Sequence, residues 1–483
     1  MKESKSIKTN ILFNFVKTLS TLIFPVITFS YASRVLFADG MGRIEYVKSI
    51  VAYFTLIAML GVVNYGTREC AKLRNDQKAL SDKASEILCV NLVFTCFAYL
   101  LLFLLVAFSS KLNDYSELIM INSMTIGLTA LGVEWLYIAM EDYKYITVRT
   151  CIVQVVSLAL MVGFVKEKND IPIYALIQVL SAGGANIFSF IHSKCYIKFH
   201  MINPFVALKK HLFPLLKLFL MVVSVQVFTH MDSTMLGWIS GDVYVGYYSA
   251  ATKLTSMVCA AIVSCTAVLM PRISFYEETG AFDEIKKISC LTINAILMLS
   301  IPMAVGLMFT SDFIVILLSG ELYQPAIVTT RILSLRIVLS PLNTFIITHL
   351  FVSIREEDKM LVATIAAAIG NIVFNSLLIP NLAQNGAAIA TILSEVIELC
   401  IVLYYLKNIM SLSKVLKNTW QYILINVALL PFYLAITFFV SSALLRTVVM
   451  ILTCPLLYFG GLLLLKNDTT TFIVSMIKKR LDK

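Results

Sequence analysis

Fourteen apolar runs of about twenty residues leave this 483-residue chain few ways to fold. They fall at about 11–33, 44–66, 86–108, 116–138, 147–165, 171–191, 214–237, 246–270, 288–310, 326–349, 361–380, 386–406, 420–440 and 447–465. A helix needs about 20 apolar residues to cross a hydrocarbon layer about 30 Å thick. Backbone polar groups find no water there, so only helices and closed barrels span it. The runs are continuous and do not alternate, which excludes a barrel of strands. The chain is 59% hydrophobic and 14% charged, against about 45–50% and about 25% for soluble domains. The expected fold class is therefore all-α, a polytopic membrane protein of about 14 transmembrane helices.

Basic residues set the orientation. With a cytoplasmic N-terminus, 27 of the 39 lysines and arginines fall in cytoplasmic segments or helix ends, 6 on the opposite side and 6 within spans. Cytoplasmic loops carry such an excess, so both termini are expected inside. The net charge of +10 is thereby a topology signal, and no nucleic-acid partner is implied. The apolar run after Lys2, Lys5 and Lys8 is too long for a signal-peptide core and lacks a small-residue cleavage site; it reads as an uncleaved first span. The ten cysteines are scattered without zinc spacing and the five histidines lie apart, so no metal or cofactor site is expected.

The longest connection, about 192–213, reads as a surface segment between two halves. Gly42 precedes Lys48 in the second span as Gly246 precedes Lys253 in the eighth, a weak internal echo. Two repeats are one architecture of transporters. The expected domains are a six-helix bundle over 1–205, a second over 206–410, and a helix pair with a basic tail over 411–483.

Six cations lie inside spans: Lys17, Lys48, Lys217, Lys253, Arg331 and Arg336. A charge at that depth costs about 2.5–3.5 kcal/mol on insertion scales and faces a partner or a wet cavity. Snorkelling to the interface is the bland alternative, easiest near helix ends at Lys17, Lys48 and Lys217. Lys253 shares a face with Gly246, Ala250, Met257, Ala260 and Ser264, which reads as a cavity wall. Asp232 and Lys253, at similar depth on neighbouring helices, are expected to approach or share a polar cavity. Glu395 and Glu398 share a face with Ala388 and Thr391; Asn371 and Asn375 share another; Glu134 sits near the end of the fourth span. A carboxyl there is either a proton or cation site or an ordering interhelical bond. No phosphate loop, Gly-x-Ser-x-Gly or His-Glu-x-x-His is present in the sequence.

Several stretches resemble the Wzx-type oligosaccharide flippases of the polysaccharide transport family, in the multidrug/oligosaccharidyl-lipid/polysaccharide exporter superfamily. They are Pro25 with Tyr31-Ala-Ser-Arg-Val-Leu36 and Asp39-Gly-Met-Gly42, Asn64-Tyr-Gly-Thr-Arg-Glu-Cys-Ala-Lys72, and Gly132-Val-Glu-Trp135 with Glu141-Asp-Tyr-Lys-Tyr-Ile146. Further along come Met231-Asp-Ser-Thr-Met-Leu-Gly237, Val245-Gly-Tyr-Tyr-Ser-Ala-Ala-Thr-Lys253, Gly370-Asn371, Asn375, Leu378-Ile-Pro380, Asn385-Gly-Ala-Ala-Ile-Ala-Thr391 and Ser394-Glu395. The resemblance runs to about residue 410. Two departures fall in turns: Phe37-Ala38 replace a Gly-Pro, and Leu382-Ala-Gln384 lacks a glycine before Asn385-Gly386.

The resemblance implies a flippase that moves an undecaprenyl-pyrophosphate-linked oligosaccharide repeat unit across the bacterial cytoplasmic (inner) membrane by alternating access, for O-antigen or capsule synthesis. Its partners would be that glycan, membrane lipids, a polysaccharide polymerase and chain-length machinery. The expected substrate contacts are Arg34, Lys48, Lys217, Lys253, Arg331 and Arg336. Asp232, Glu134, Glu395 and Glu398 are the candidates for ion coupling or gating, with H+ or Na+ as the coupling ion. The alternatives are a drug or cation exporter of the same superfamily, whose cavity should be acidic, and a membrane glycan polymerase or acyltransferase, for which His349 is the candidate histidine. The short outer loops and the lack of an Asp-x-Asp speak against the enzyme.

Overall fold

The computed structural model describes residues 7–267 and 269–471; some side chains, Lys217 among them, lie outside that description. The chain forms two compact units, Met1–Gly246 and Tyr247–Lys483. Every regular element among the described residues is helical.

In chain order the first ten helices are α1 Ile7–Met59, α2 Val62–Lys72, α3 Gln77–Phe108, α4 Ser110–Asn113, α5 Ser116–Ala130, α6 Glu134–Ala139, α7 Tyr143–Phe164, α8 Ile171–Val179, α9 Ala185–Ser193 and α10 Pro204–Ile239. Then come α11 Asp242–Ala267, α12 Met270–Glu278, α13 Phe282–Ser319, α14 Ala326–Leu333, α15 Arg336–Thr344, α16 Glu357–Leu406, α17 Leu412–Val415, α18 Thr419–Phe439 and α19 Ala443–Leu464. Among the described residues, ten helices are long and apolar enough to cross a membrane, or eleven if the bent pair Ala326–Leu333 and Arg336–Phe351 is one span. The protein is a multi-pass membrane protein.

Its side chains are sorted for that solvent. Leu100, Phe103, Val155, Leu377 and Leu456 are exposed, whereas Asn91, Thr95, Ser123, Asn371 and Asn375 are buried. The buried polar groups bond along their own helices, as where Thr95 Oγ1 donates to the Asn91 carbonyl at 2.8 Å. In hydrocarbon, unlike water, this satisfies groups that would otherwise cost several kcal/mol each.

Two helices, α1 with 53 residues and α16 with 50, are more than twice as long as one crossing needs, and each is interrupted. Two helices meet inside α1 at Phe37 (φ 58°, ψ −175°) and inside α16 at Ala383 (φ 44°, ψ −124°). Glycine accepts positive φ without steric cost. Both breaks therefore fall in the two turns where the resemblance leads one to expect a glycine that this chain lacks.

The connection read as 192–213 is shorter than expected. Asn203 Oδ1 accepts the Phe205 N–H at 3.0 Å and Pro204 takes the first helical position, so α10 starts ten residues before Pro214. Asparagine capping with proline at the first position is a helix-start signal. The turn after α10 is likewise tight, with Gly241 at φ 100°.

In the first unit α1 packs on α3, α5, α7 and α10. Its second half also meets the start of α11 at glycine-only distance. A Cβ built on Gly42 falls 1.7 Å from the Asp242 carbonyl oxygen, and one on Gly246 falls 2.0 Å from that of Ala38. The contact is reciprocal: Ala38 and Gly42 stand to one helix as Asp242 and Gly246 stand to the other. Phe37 and Gly241 are the positive-φ residues just before them. Small residues let helix backbones approach this closely. In the second unit α13 packs on α14, α15, α18 and α19, and α16 on α14 and α15.

Candidate functional site

Two clusters of the first unit involve cations singled out by the sequence. Lys48, on the second half of α1, donates to Gln178 Oε1 of α8 at 2.9 Å and lies 3.3 Å from Glu45. Its side chain is 37% exposed, so the ammonium is reachable. Gln178 is held in turn by the buried Tyr174 hydroxyl. Nearby, Thr234 of α10 donates to Ser49 Oγ at 2.8 Å and Tyr53 OH at 3.3 Å, and the Tyr53 ring meets His230 edge-on at 6.2 Å.

The second cluster is a three-membered ion chain. Glu134, at the start of α6, pairs with Lys17 of α1 through one carboxylate oxygen. Its other oxygen is 3.6 Å from Nη2 of Arg149 on α7. Arg149 is buried, donates to the Ala185 carbonyl at 2.7 Å, and lies 5.9 Å from the Tyr137 ring centroid. Two cations thus share one carboxylate. The fifth apolar run starts at about 147, which by itself places Arg149 at a helix end. The helix begins four residues earlier, at Tyr143, so Arg149 lies nearly two turns in.

The matched part of the chain covers both clusters. A family described as polysaccharide biosynthesis protein matches residues 7–277. The chain belongs to that family. Among relatives, a Shigella dysenteriae protein named as an O-antigen transporter is 24% identical over 347 residues, covering 69% of this chain and 85% of that one. An Escherichia coli K12 protein with the same name is 20% identical over 417 residues, covering 83% and 97%. The structure of the lipid II flippase MurJ in an inward-closed conformation superposes with a TM-score of 0.71 at 15% identity, covering 95% of this chain and 99% of that one. That likeness shows a shared fold. All three relatives are named as transporters or flippases, none as an enzyme.

The second unit of this polysaccharide-biosynthesis protein is built differently. Arg336, at the start of α15, donates from Nε to Glu395 Oε1 of α16 at 2.8 Å, and from Nη1 to Ser256 Oγ of α11 at 3.2 Å. The Glu395 side chain is 3% exposed. Asn343 donates to the Glu395 carbonyl at 3.0 Å. Glu398 lies near Thr364 and Asn343 and feels the charge of Glu395. Asn375 donates to Asn371 at 3.0 Å, and Tyr248 and Thr391 share a hydrogen bond of 2.9 Å. One cation here faces two carboxylates. Charge-assisted bonds of this kind are about twice as strong as neutral ones.

The remaining candidates differ in exposure. Arg331 is exposed and bonds Ser311 Oγ at 3.1 Å, so it has other partners than Arg336. Arg34 is exposed and Lys253 half-buried. The face proposed as a cavity wall around Lys253 is not uniform, since Ala250 is buried while Met257 is exposed. Asp232 is buried in the first unit, and Lys253 belongs to the second. From the observed helix ends Asp232 lies seven residues before the end of α10 and Lys253 eleven after the start of α11. The Lys217 side chain lies outside the described residues. His349 is buried in a π-helical turn and shares a 3.1 Å hydrogen bond with Thr266. Among the described residues no group of three or more His, Cys, Asp or Glu is placed to hold a metal ion.

Proposed function

We propose that this protein is a flippase for a polyprenyl-pyrophosphate-linked oligosaccharide, working by alternating access in the bacterial inner membrane. The observation that carries the reading is the cation excess of the first unit. Lys17 and Arg149 share Glu134, and Lys48, between Gln178 and Glu45, remains half-exposed. A pyrophosphate entering a low-dielectric interior needs such charge. The family, and relatives named for O-antigen transport, supply the cargo class. O-antigen or capsule repeat units suit it equally, and a polymerase with chain-length machinery would take the product.

Glu395 and Glu398 of the second unit suit the coupling ion, H+ or Na+. Glu134 is better read as the anchor of two cations than as a coupling group. A drug or cation exporter would need the acidic cluster to be the cargo site; the first unit favours an anion instead.

Proteoliposomes loaded with a fluorescent polyprenyl-pyrophosphate oligosaccharide test this. Wild type should move the label between leaflets. The Lys17→Gln/Lys48→Gln double variant should do so at least about tenfold more slowly, since a hydrogen bond to a charged group contributes about 1.5–3 kcal/mol. A wild-type rate in that variant, at equal protein in the membrane, would refute the anion reading. Transport of a cationic dye with no movement of the glycan lipid would favour the exporter.

A further inference from the structure

A cleft at the basic end of the second unit takes no part in this reading. It lies among the first turns of α13, the segment from the end of α16 through α17, the start of α18 and the residues after α19. Its volume is about 870 Å³, within the roughly 300–1,000 Å³ of small-ligand sites.

Four lysines reach it: Lys286 and Lys287 of α13, Lys407 after α16, and Lys417 before α18. The lining carboxylates are Asp283, 3.4 Å from Lys286, and Asp468, 3.0 Å from Lys417. Lys287 also lies 3.9 Å from Glu284, and Lys407 sits 3.9 Å over the Tyr404 ring. These pairs are exposed and contribute little, so they yield to a better anion.

The inner wall adds a second signal. Asn294 is buried, and its Nδ2 donates to the carbonyls of Cys290 and Val415, both at 2.9 Å. Those two acceptors fix the amide orientation. Oδ1 is then an acceptor that receives no hydrogen bond among the described residues. A buried acceptor left unfilled costs about 1–3 kcal/mol. A ligand hydroxyl would fill it. Leu291, Ile409 and Met410 supply an apolar wall beside the lysines.

We propose that this cleft binds the phosphodiester head group of an anionic phospholipid that carries free hydroxyls. The lysines select the phosphate, the Asn294 acceptor selects the hydroxyl, and the apolar wall selects an amphiphile. Basic pockets between membrane helices bind anionic head groups by the same electrostatics.

The test is native mass spectrometry of the full chain from phosphatidylglycerol/phosphatidylcholine vesicles. Wild type should retain phosphatidylglycerol over phosphatidylcholine. Changing the four lysines to Gln should lower that retention on the order of tenfold, and changing them to Arg should preserve it. Changing Lys72, Lys78, Lys194 and Lys198 of the first unit to Gln should leave it unaltered. Asn294→Leu should remove the preference for phosphatidylglycerol over phosphatidic acid, which lacks the hydroxyls. Equal retention by wild type and the cleft Gln variant, or equal loss in the first-unit control, overturns the site. Displacement of the lipid by an equal concentration of glycerol 1-phosphate overturns the lipid as occupant and assigns the phosphate site to a soluble ester.

Discussion

The two units treat buried charge in opposite ways. In the first, two cations share Glu134, and Lys48, paired with Gln178 and with a half-buried Glu45 at 3.3 Å, keeps its ammonium partly open. In the second, Arg336 is locked to a carboxylate that is 3% exposed, and Glu398 adds a further acid. A loosely held cation is available to an arriving anion. A cation already bonded to a buried carboxylate is not, because a newcomer would have to compete with that partner. The sequence expectation treated all six cations as one class of substrate contact. The difference between the units divides them, and it is the basis on which we propose the anion for one unit and ion coupling for the other.

The sharpest way to break this comparison is to remove one member of the locked pair. Glu395→Ala leaves Arg336 without the carboxylate it bonds, with Ser256 Oγ and the charge of Glu398 still beside it. Removing one partner of a buried pair costs about 3–5 kcal/mol, so a large fall in melting temperature in detergent is expected. The Arg336→Met/Glu395→Leu double variant should recover most of the loss, because well-packed apolar side chains replace such pairs at little cost. If Glu395→Ala melts like wild type, the second unit's pair is as loosely held as Lys48, and the proposed division fails.

The helical class, the many spans and the family were legible because they rest on local runs and short motifs. The side-chain partners were not. Glu395 lies 59 residues from Arg336, and Glu134 lies 117 from Lys17; no periodicity connects positions that only tertiary packing brings together. Arg149 is not legible as a buried group, because the apolar run starts at about 147 while the helix starts at Tyr143, so the guanidinium reads as lying at a helix end. The start of α10 was readable in Asn203-Pro204, a cap followed by a first-turn proline, but the apolar run begins only at Pro214. The two breaks were half visible: the missing glycines at residues 37 and 383 marked the turns without giving their geometry.

Those breaks offer a second comparison between the units, of smaller size. Phe37 has a backbone conformation that is almost confined to glycine, and Ala383 also has positive φ. Such residues cost on the order of 1–3 kcal/mol, whereas glycine adds about 0.5–1 kcal/mol of chain entropy to be lost on folding. Phe37→Gly and Ala383→Gly should therefore each stabilise by about 1 kcal/mol, read as a higher melting temperature. A gain at one position only would show that the other break is held by its surroundings.

The smallest expected effect is a control on the charges themselves. Asp170, in the loop before α8, accepts the backbone N–H groups of Lys166 and Glu167, both at 2.8 Å. These bonds favour the ionised form and hold its carboxyl below the usual range. A carboxyl lowered on folding stabilises above its unfolded value, about 3.9. That contribution fades as pH falls from about 5 through and below the unfolded value. Asp170→Asn, whose amide oxygen still accepts hydrogen bonds, should flatten the acid end of the stability curve slightly and leave glycan-lipid movement unchanged. Unlike Glu134 and Glu395, this carboxylate is neutralised by backbone dipoles outside the apolar layer. If its loss slowed transport as much as the loss of Lys17 and Lys48, transport would track any change in fixed charge, and the distinction between loosely and tightly held cations would carry no weight.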